Sequence, residues 1–219
     1  MDGRFEFRNC VRFAGPSMCG KTVTLCKLLA NKKYFKPNAP KRVMWVSGSD
    51  TVDEKIEELI KSHYPDSQFF YGAPNCQKLR TMVRKHDAWV FDDLAGELST
   101  DREFSAFFTK TAHHKECIMF YLSQNPFEKS KESVTRTRNC AYQVFFNNNA
   151  DVRWVAHVGH QLLGNAQLFE EMFQSVMIGS YDCLLCDNRA TTRKEDGQFI
   201  GHPFNPTEEN PTCYLIPYK

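Results

Sequence analysis

The apolar residues of this chain fall in short runs, and the runs alternate with segments whose apolar positions repeat at helical spacing. "NCVRFAG" (Asn9 to Gly15), "RVMWVSG" (Arg42 to Gly48), "SQFFYG" (Ser67 to Gly72), "AWVF" (Ala88 to Phe91), "CIMFYLSQNP" (Cys117 to Pro126) and "CAYQVFFN" (Cys140 to Asn147) read as strands. "KTVTLCKLLANKKYF" sets Val23, Leu25, Cys26, Leu28 and Leu29 close to one helical face. "DTVDEKIEELIKSHY" is a polar amphipathic helix with Asp50 or Thr51 as its expected cap, and "NCQKLRTMVRKH" is another helix. "TDREFSAFFTKTAHHKE" buries Phe104, Phe107 and Phe108; "NADVRWVAHVGHQLL" and "AQLFEEMFQSVM" give two more helices before a last strand, "YDCLLCD". Strands apolar throughout, separated by helices, predict an α/β fold: a mostly parallel sheet with helices on both faces. Residues 1–190 make up that domain. The Pro- and Asn-rich remainder, 191–219, reads as an irregular C-terminal extension packed on it.

The turn between the first strand and the first helix carries chemistry. Gly15-Pro16-Ser17-Met18-Cys19-Gly20-Lys21-Thr22 fits G-x-x-x-x-G-K-[ST] without a mismatch, in the strand–turn–helix setting a P-loop requires. The glycines let the backbone curl so that successive N–H groups, up to Val23, point inward as an anion nest at a helix N-terminus. Lys21 is expected on the β- and γ-phosphates and the Thr22 hydroxyl on Mg²⁺.

Two further stretches complete the set. In "WVFDDL" an apolar strand beside the P-loop ends in paired carboxylates; Asp92 is assigned to the Mg²⁺ shell and Asp93 to orienting or deprotonating the attacking water. Gln124 ends the strand of "YLSQNP", the edge at which doubly wound sheets bind ligands, where an amide can register the γ-phosphate.

Composition narrows the class. With 219 residues, 42% hydrophobic and 25% charged, the chain has room for one α/β domain with a proper core. No apolar run reaches the roughly 18 residues of a membrane span, and "MDGRFEFRNC" lacks the apolar stretch of a signal peptide. Nine cysteines, scattered through apolar runs, point to a reducing intracellular compartment, cytoplasm or nucleus, with the thiols acting as small hydrophobes. Cys183-Leu-Leu-Cys186 reads better as a buried strand than as half of a zinc site. The net charge is only +2, yet basic residues cluster in Lys27 to Arg42 and in Glu128 to Arg138.

The P-loop, "FDDL" and "LSQNP", in that order, resemble the FtsK/HerA superfamily, whose bacterial DNA translocases carry Thr-Gln-Arg-Pro after the corresponding strand. "RTRNCAYQVFFNNNADVRWV" looks like that superfamily's next block, an Asn, an apolar strand and then Asp-x-Arg opening a helix. The resemblance is closer to the short packaging ATPases of eukaryotic DNA viruses and Polinton-type virus-like elements: there a "DDL" is followed by a helix ending in His-His and then by a Gln-Asn motif, as in "DDLAGELSTDREFSAFFTKTAHHKECIMFYLSQNPF". It runs from Asn9 to Asn188 and departs from the pattern at Met18-Cys19, where small residues are usual, and at Asp93, where the wider superfamily often has Glu. What it implies is a RecA/FtsK-like P-loop ATPase using ATP and Mg²⁺. Such enzymes form a homo-oligomeric ring that moves double-stranded DNA, with a capsid protein as a further partner and a host cytoplasm or nucleus as the setting. An arginine of the neighbouring subunit then completes each site; Arg136, Arg138 and Arg153 stand in the matching block and Arg102 close after the acidic pair. Two other classes remain open: a small nucleoside or nucleotide kinase, with "KSKESVTRTR" as its arginine lid, and an ATP-gated interaction module with negligible hydrolysis.

Overall fold

A computed structural model describes residues 4–94, 98, 100–126, 130–148, 153–189, 199–201, 203–204 and 212–214. The strands are β1 (Phe5–Glu6), β2 (Cys10–Ala14), β3 (Phe35–Lys36), β4 (Arg42–Ser47), β5 (Gln68–Tyr71), β6 (Asp87–Asp92), β7 (Ile118–Ser123), β8 (Cys140–Phe146), β9 (Cys183–Asp187), β10 (Phe199–Gly201) and β11 (Thr212–Tyr214). The helices are α1 (Lys21–Ala30), α2 (Glu54–His63), α3 (Cys76–Met82), α4 (Arg102–Lys115), α5 (Lys131–Arg138), α6 (Arg153–Leu163) and α7 (Ala166–Val176).

Nine strands form one sheet in the order β11-β10-β9-β8-β2-β7-β6-β4-β5. From β5 to β8 every neighbouring pair is parallel; β9, β10 and β11 each run antiparallel to the strand before them. The expected parallel sheet with helices on both faces is therefore present, with an antiparallel edge. That edge has a topological cause. Two packed helices, α6 and α7, join β8 to β9, so the chain returns to the edge it left and must run back the other way.

The extension is not wholly irregular, because β10 and β11 continue the sheet. The short "QFIG" and "TCYL" runs carry too weak an alternation to stand out against their Pro and Asn neighbours. Residues 191–198, 202, 205–211 and 215–219 of that extension lie outside the described residues, as do Glu128, Lys129 and Asp151.

Each face of the sheet buries its own set. On one face Val11, Phe13, Trp45, Val90 and Phe120 pack with Leu25, Leu28 and Leu29 of α1 and Ile60 of α2. On the other, Met44, Trp89, Phe91 and Tyr121 meet Phe104, Phe107 and Phe108 of α4. Beyond the polar row of Arg12 and Gln143, Phe145 and Leu184 meet Trp154 and Val158 of α6 and Phe169 and Phe173 of α7. Cys183 packs in the first of these clusters and Cys186 in the last, so three residues along a strand put the two thiols on opposite faces.

Some expectations move by a few residues. Asp53, not Asp50 or Thr51, caps α2, accepting the Lys55 N–H at 2.9 Å. Thr51 and Val52 before it stay outside the helix and line a cleft instead. Two basic residues of the expected clusters are core residues. Arg42 makes a buried bidentate pair with Asp87, at 2.7 and 2.8 Å. Arg136 is described with the site below.

Removing one partner of a buried ion pair strands the other charge without water. Asp87→Ala is accordingly expected to destabilise the fold by about 3–5 kcal/mol, read as a lower midpoint in chemical denaturation. A loss below about 1 kcal/mol would mean that the pair contributes nothing beyond a surface contact.

Candidate nucleotide-binding site

Between β2 and α1 the backbone turns through Gly15–Gly20. Gly20 is the N-cap residue of α1, in the left-handed region at φ 96°, and no side chain caps that helix. Any β-carbon there would also stand 2.8 Å from the Tyr181 ring, so the position needs glycine twice over. The first turn holds no acidic residue, so no carboxylate of the helix itself opposes an anion at its N–H groups. Lys21 is buried and its ammonium donates to the Gly15 and Pro16 carbonyls, both at 2.7 Å, which draws it back into the loop.

The strand order decides what faces the loop. The acidic strand β6 is not the neighbour of β2, contrary to expectation; β7 lies between them. Gln124 therefore emerges between the P-loop and the carboxylates. Thr22 Oγ1 donates to Asp92 Oδ2 at 3.2 Å, across the end of β7. Asp93, with a left-handed backbone at φ 54°, turns its carboxylate sideways. There Gln124 Nε2 donates to Oδ1 at 3.0 Å and Ser49 Oγ to Oδ2 at 2.9 Å.

Ser49 was not among the expected residues. It follows β4 in "SGSD", and its signal was the glycine: Gly48 N–H donates to Asp92 O at 2.9 Å, and a β-carbon at Gly48 would stand 2.0 Å from Asp93 O. Only a bare backbone lets the β4 loop close on the acidic pair. Together these groups line an open cleft of about 300 Å³, with Ser17, Met18, Lys21 and Thr22 on the loop side and Thr51 and Asp53 opposite.

The Asp92 carboxyl is held above the ordinary aspartate range, first by burial; the Thr22 hydrogen bond opposes this, the Asp93 charge adds to it and Lys21 opposes it. The donor set is made of hard oxygens, a hydroxyl and a carboxylate, which suits Mg²⁺.

The arginine candidates separate cleanly. Arg136 is 1% exposed, donates to Leu98 O and Ser105 Oγ at 2.9 Å each, and lies over the Phe104 and Tyr121 rings. A side chain so enclosed cannot reach a neighbouring subunit, so Arg136 leaves the set. Its neighbours in sequence hid this, because "VTRTR" carries no apolar period strong enough to mark an inward arginine. Arg102, Arg138 and Arg153 are exposed, Arg102 in an ion pair with Glu132 at 3.2 Å. His113 and His114 are both exposed in the last turn of α4.

A phosphate-binding loop at the end of a central strand, a Thr–Asp pair and a sheet with β7 inserted beside that strand define a P-loop NTPase fold. Solved structures with this fold include the genome packaging NTPase B204 of Sulfolobus turreted icosahedral virus 2. In complex with sulfate it is 12% identical, with TM-score 0.54 over 88% of this chain and 95% of its own. Its complex with AMP gives 11% identity and TM-score 0.55, over 88% of this chain and 96% of its own. The ATP-γS complex gives 10% and 0.54, over 84% and 95%. No protein-family model matches the chain, and no curated protein sequence does.

Because burial raises the folded-state pKa of Asp92 above its unfolded value, the native chain holds that proton more tightly than the unfolded chain. Ionised Asp92 therefore costs stability at neutral pH, and the cost disappears as pH falls through the folded pKa. Asp92→Asn is expected to raise stability at pH 7 by about 0.5–2 kcal/mol, with the gap closing in acid. Thermal melts of parent and variant across pH 4–8 check this; a variant less stable than the parent at pH 7 contradicts it.

Proposed function

We propose that this chain is an ATP-hydrolysing DNA motor of the genome-packaging type, acting on double-stranded DNA as a ring of identical subunits. The observation that carries this reading is the grip on Asp93: a carboxylate fixed by Gln124 and Ser49 faces the cleft beside the P-loop, one residue from the metal-side carboxylate. A site for binding alone has no need of a second, oriented carboxylate.

The residues divide the work. The loop N–H groups and Lys21 bind the phosphates, with Lys21 moving from the loop carbonyls to the β/γ oxygens. Thr22 and Asp92 hold Mg²⁺, which when bound neutralises charge on the phosphate oxygens. Asp93 orients the attacking water and accepts its proton at a carboxylate oxygen. Gln124 keeps that carboxylate aimed and senses the γ-phosphate.

Assembly is supported by what surrounds the loop. Met18, Val23, Ile178 and Tyr181 are four of the six large apolar side chains exposed among the described residues, and they sit on the P-loop, the first turn of α1 and the turn before β9. A neighbouring subunit covering this patch also delivers its arginine to the nucleotide; Arg102, Arg138 and Arg153 remain in that role. Exposed Lys27, Lys32 and Lys33 supply sequence-independent phosphate contacts for DNA, while Arg42 and Arg136 do not take part. A capsid protein as docking partner and a host cytoplasm or nucleus as setting belong to the same proposal. The kinase alternative loses its lid: α5 is pinned to the core through Arg136.

Purified protein is expected to hydrolyse ATP with Mg²⁺, faster with duplex DNA at low salt, and the stimulation should fade as salt rises. Hydrolysis indifferent to DNA sinks the motor reading, and binding without turnover favours the interaction module.

Lys21→Ala should lose nucleotide binding or turnover. Asp93→Asn should keep ATP affinity within a few-fold and lower kcat by about 10²–10⁴-fold. A loss under tenfold for Asp93→Asn assigns the base elsewhere.

A further inference from the structure

Arg12 lies in the middle of β2, three residues before Gly15 of the P-loop, with its side chain on the sheet face opposite Val11 and Phe13. It is 1% exposed. A guanidinium buried there needs acceptors, and Nη1 and Nη2 find three of them at the end of β7 and in the turn that carries Gln124. Nη1 donates to Pro126 O at 3.0 Å; Nη2 donates to Asn125 O at 2.6 Å and to Ser123 Oγ at 3.1 Å. Ser123 Oγ in turn donates to Asn125 O at 2.7 Å. Above the same strand pair, Gly15 N–H donates to Ser123 O at 3.1 Å, tying the first residue of the P-loop to the last of β7.

We propose that Arg12 is the positioning residue for Gln124: its planar fork holds the Asn125 and Pro126 carbonyls just past Gln124, which keeps the backbone carrying that amide where the amide meets Asp93. The reasoning is geometric. A chain leaving a strand at Gln124 has free φ and ψ at each following residue unless its carbonyls are held. Two N–H groups in one rigid plane fix two successive carbonyls at once, which a single ammonium cannot do. The clamp also belongs to β2, so the P-loop and the sensor amide move as one block. Its far side opens on a second cleft, of about 360 Å³, between α5 and α6, where Arg138, Gln143, Gln161 and Asn188 stand beside Arg12. That cleft has room for water around a shorter side chain, so substitution here need not break the fold.

The role of the clamp in turnover rests on the hydrolytic reading above; its effect on the Gln124 amide does not. Arg12→Gln removes the charge and the fork, and Arg12→Lys keeps the charge without the fork, serving as the second variant if the first is unstable. The Gln124 side-chain amide resonances, assigned by comparison with Gln124→Ala, are expected to move in both toward those of a glutamine with no carboxylate partner, as the hydrogen bond to Asp93 is lost. Nucleotide affinity should stay within about threefold while kcat falls about tenfold or more, the loss expected when a base is mispositioned. Because Arg12 acts through Gln124, Arg12→Lys combined with Gln124→Ala should be no slower than Gln124→Ala alone.

Unmoved Gln124 amide resonances in a folded variant overturn the proposal whether or not the protein hydrolyses ATP. Multiplying losses in the double variant overturn it too, since a general structural role predicts that result. Should the amide move in a parent that shows no turnover, the clamp stands and the motor reading falls.

Discussion

A single strand insertion governs the site: β7 lies between the strand that ends in the P-loop and the strand that ends in the acidic pair. Parallel neighbours stand about 4.8 Å apart, so the insertion opens a gap of two strand spacings between loop and carboxylates. Thr22 and Asp92 close it by reaching toward each other above the sheet edge. Gln124 occupies its centre, where one amide lies between the P-loop and the Asp93 carboxylate. Had the two strands been adjacent, no third side chain would have fitted between them.

That gap has to be dressed with backbone as well as side chains. Gly48 approaches Asp93 so closely that no other residue fits, and Asp93 accepts a left-handed φ to face Gln124 and Ser49. On the other side of the P-loop, Gly20 does the same beneath Tyr181. Rigidity comes from beneath, through the Gly15–Ser123 bond and the carbonyls held by Arg12. The cleft is thus mounted on two neighbouring strands rather than on loops alone.

Buried cations recur in this architecture. Arg12, Arg42 and Arg136 all lie inside, donating to carbonyls, to the Ser123 and Ser105 hydroxyls and to the Asp87 carboxylate, with Arg136 also lying over aromatic faces. The positive charge left at the surface is therefore smaller than a count of Lys and Arg in the two basic stretches suggests. Asp92 shows the converse: burial opposes its ionisation, and Thr22 and Lys21 only partly offset that. A buried carboxylate works against stability here, and the two large aromatic clusters around Phe91 and Phe120 offset it.

Local physics made much of this chain legible in its sequence. The P-loop could be read because its glycines, lysine and threonine act within eight consecutive residues. The strands of the parallel part could be read because double-sided burial demands unbroken apolar runs, and Asp92, Asp93 and Gln124 stood out as polar residues ending them. What the sequence could not carry was set by strand order and by what packs against each face. The neighbour of β2, the pairing of β10 and β11 with β9, the entry of Ser49 into the site and the burial of Arg12, Arg42 and Arg136 all depend on residues far away in the chain. A hydrogen bond such as Gln124 to Asp93 spans thirty-one positions. A periodicity that repeats every two or four residues records which face a side chain is on, but not which distant segment will meet it there.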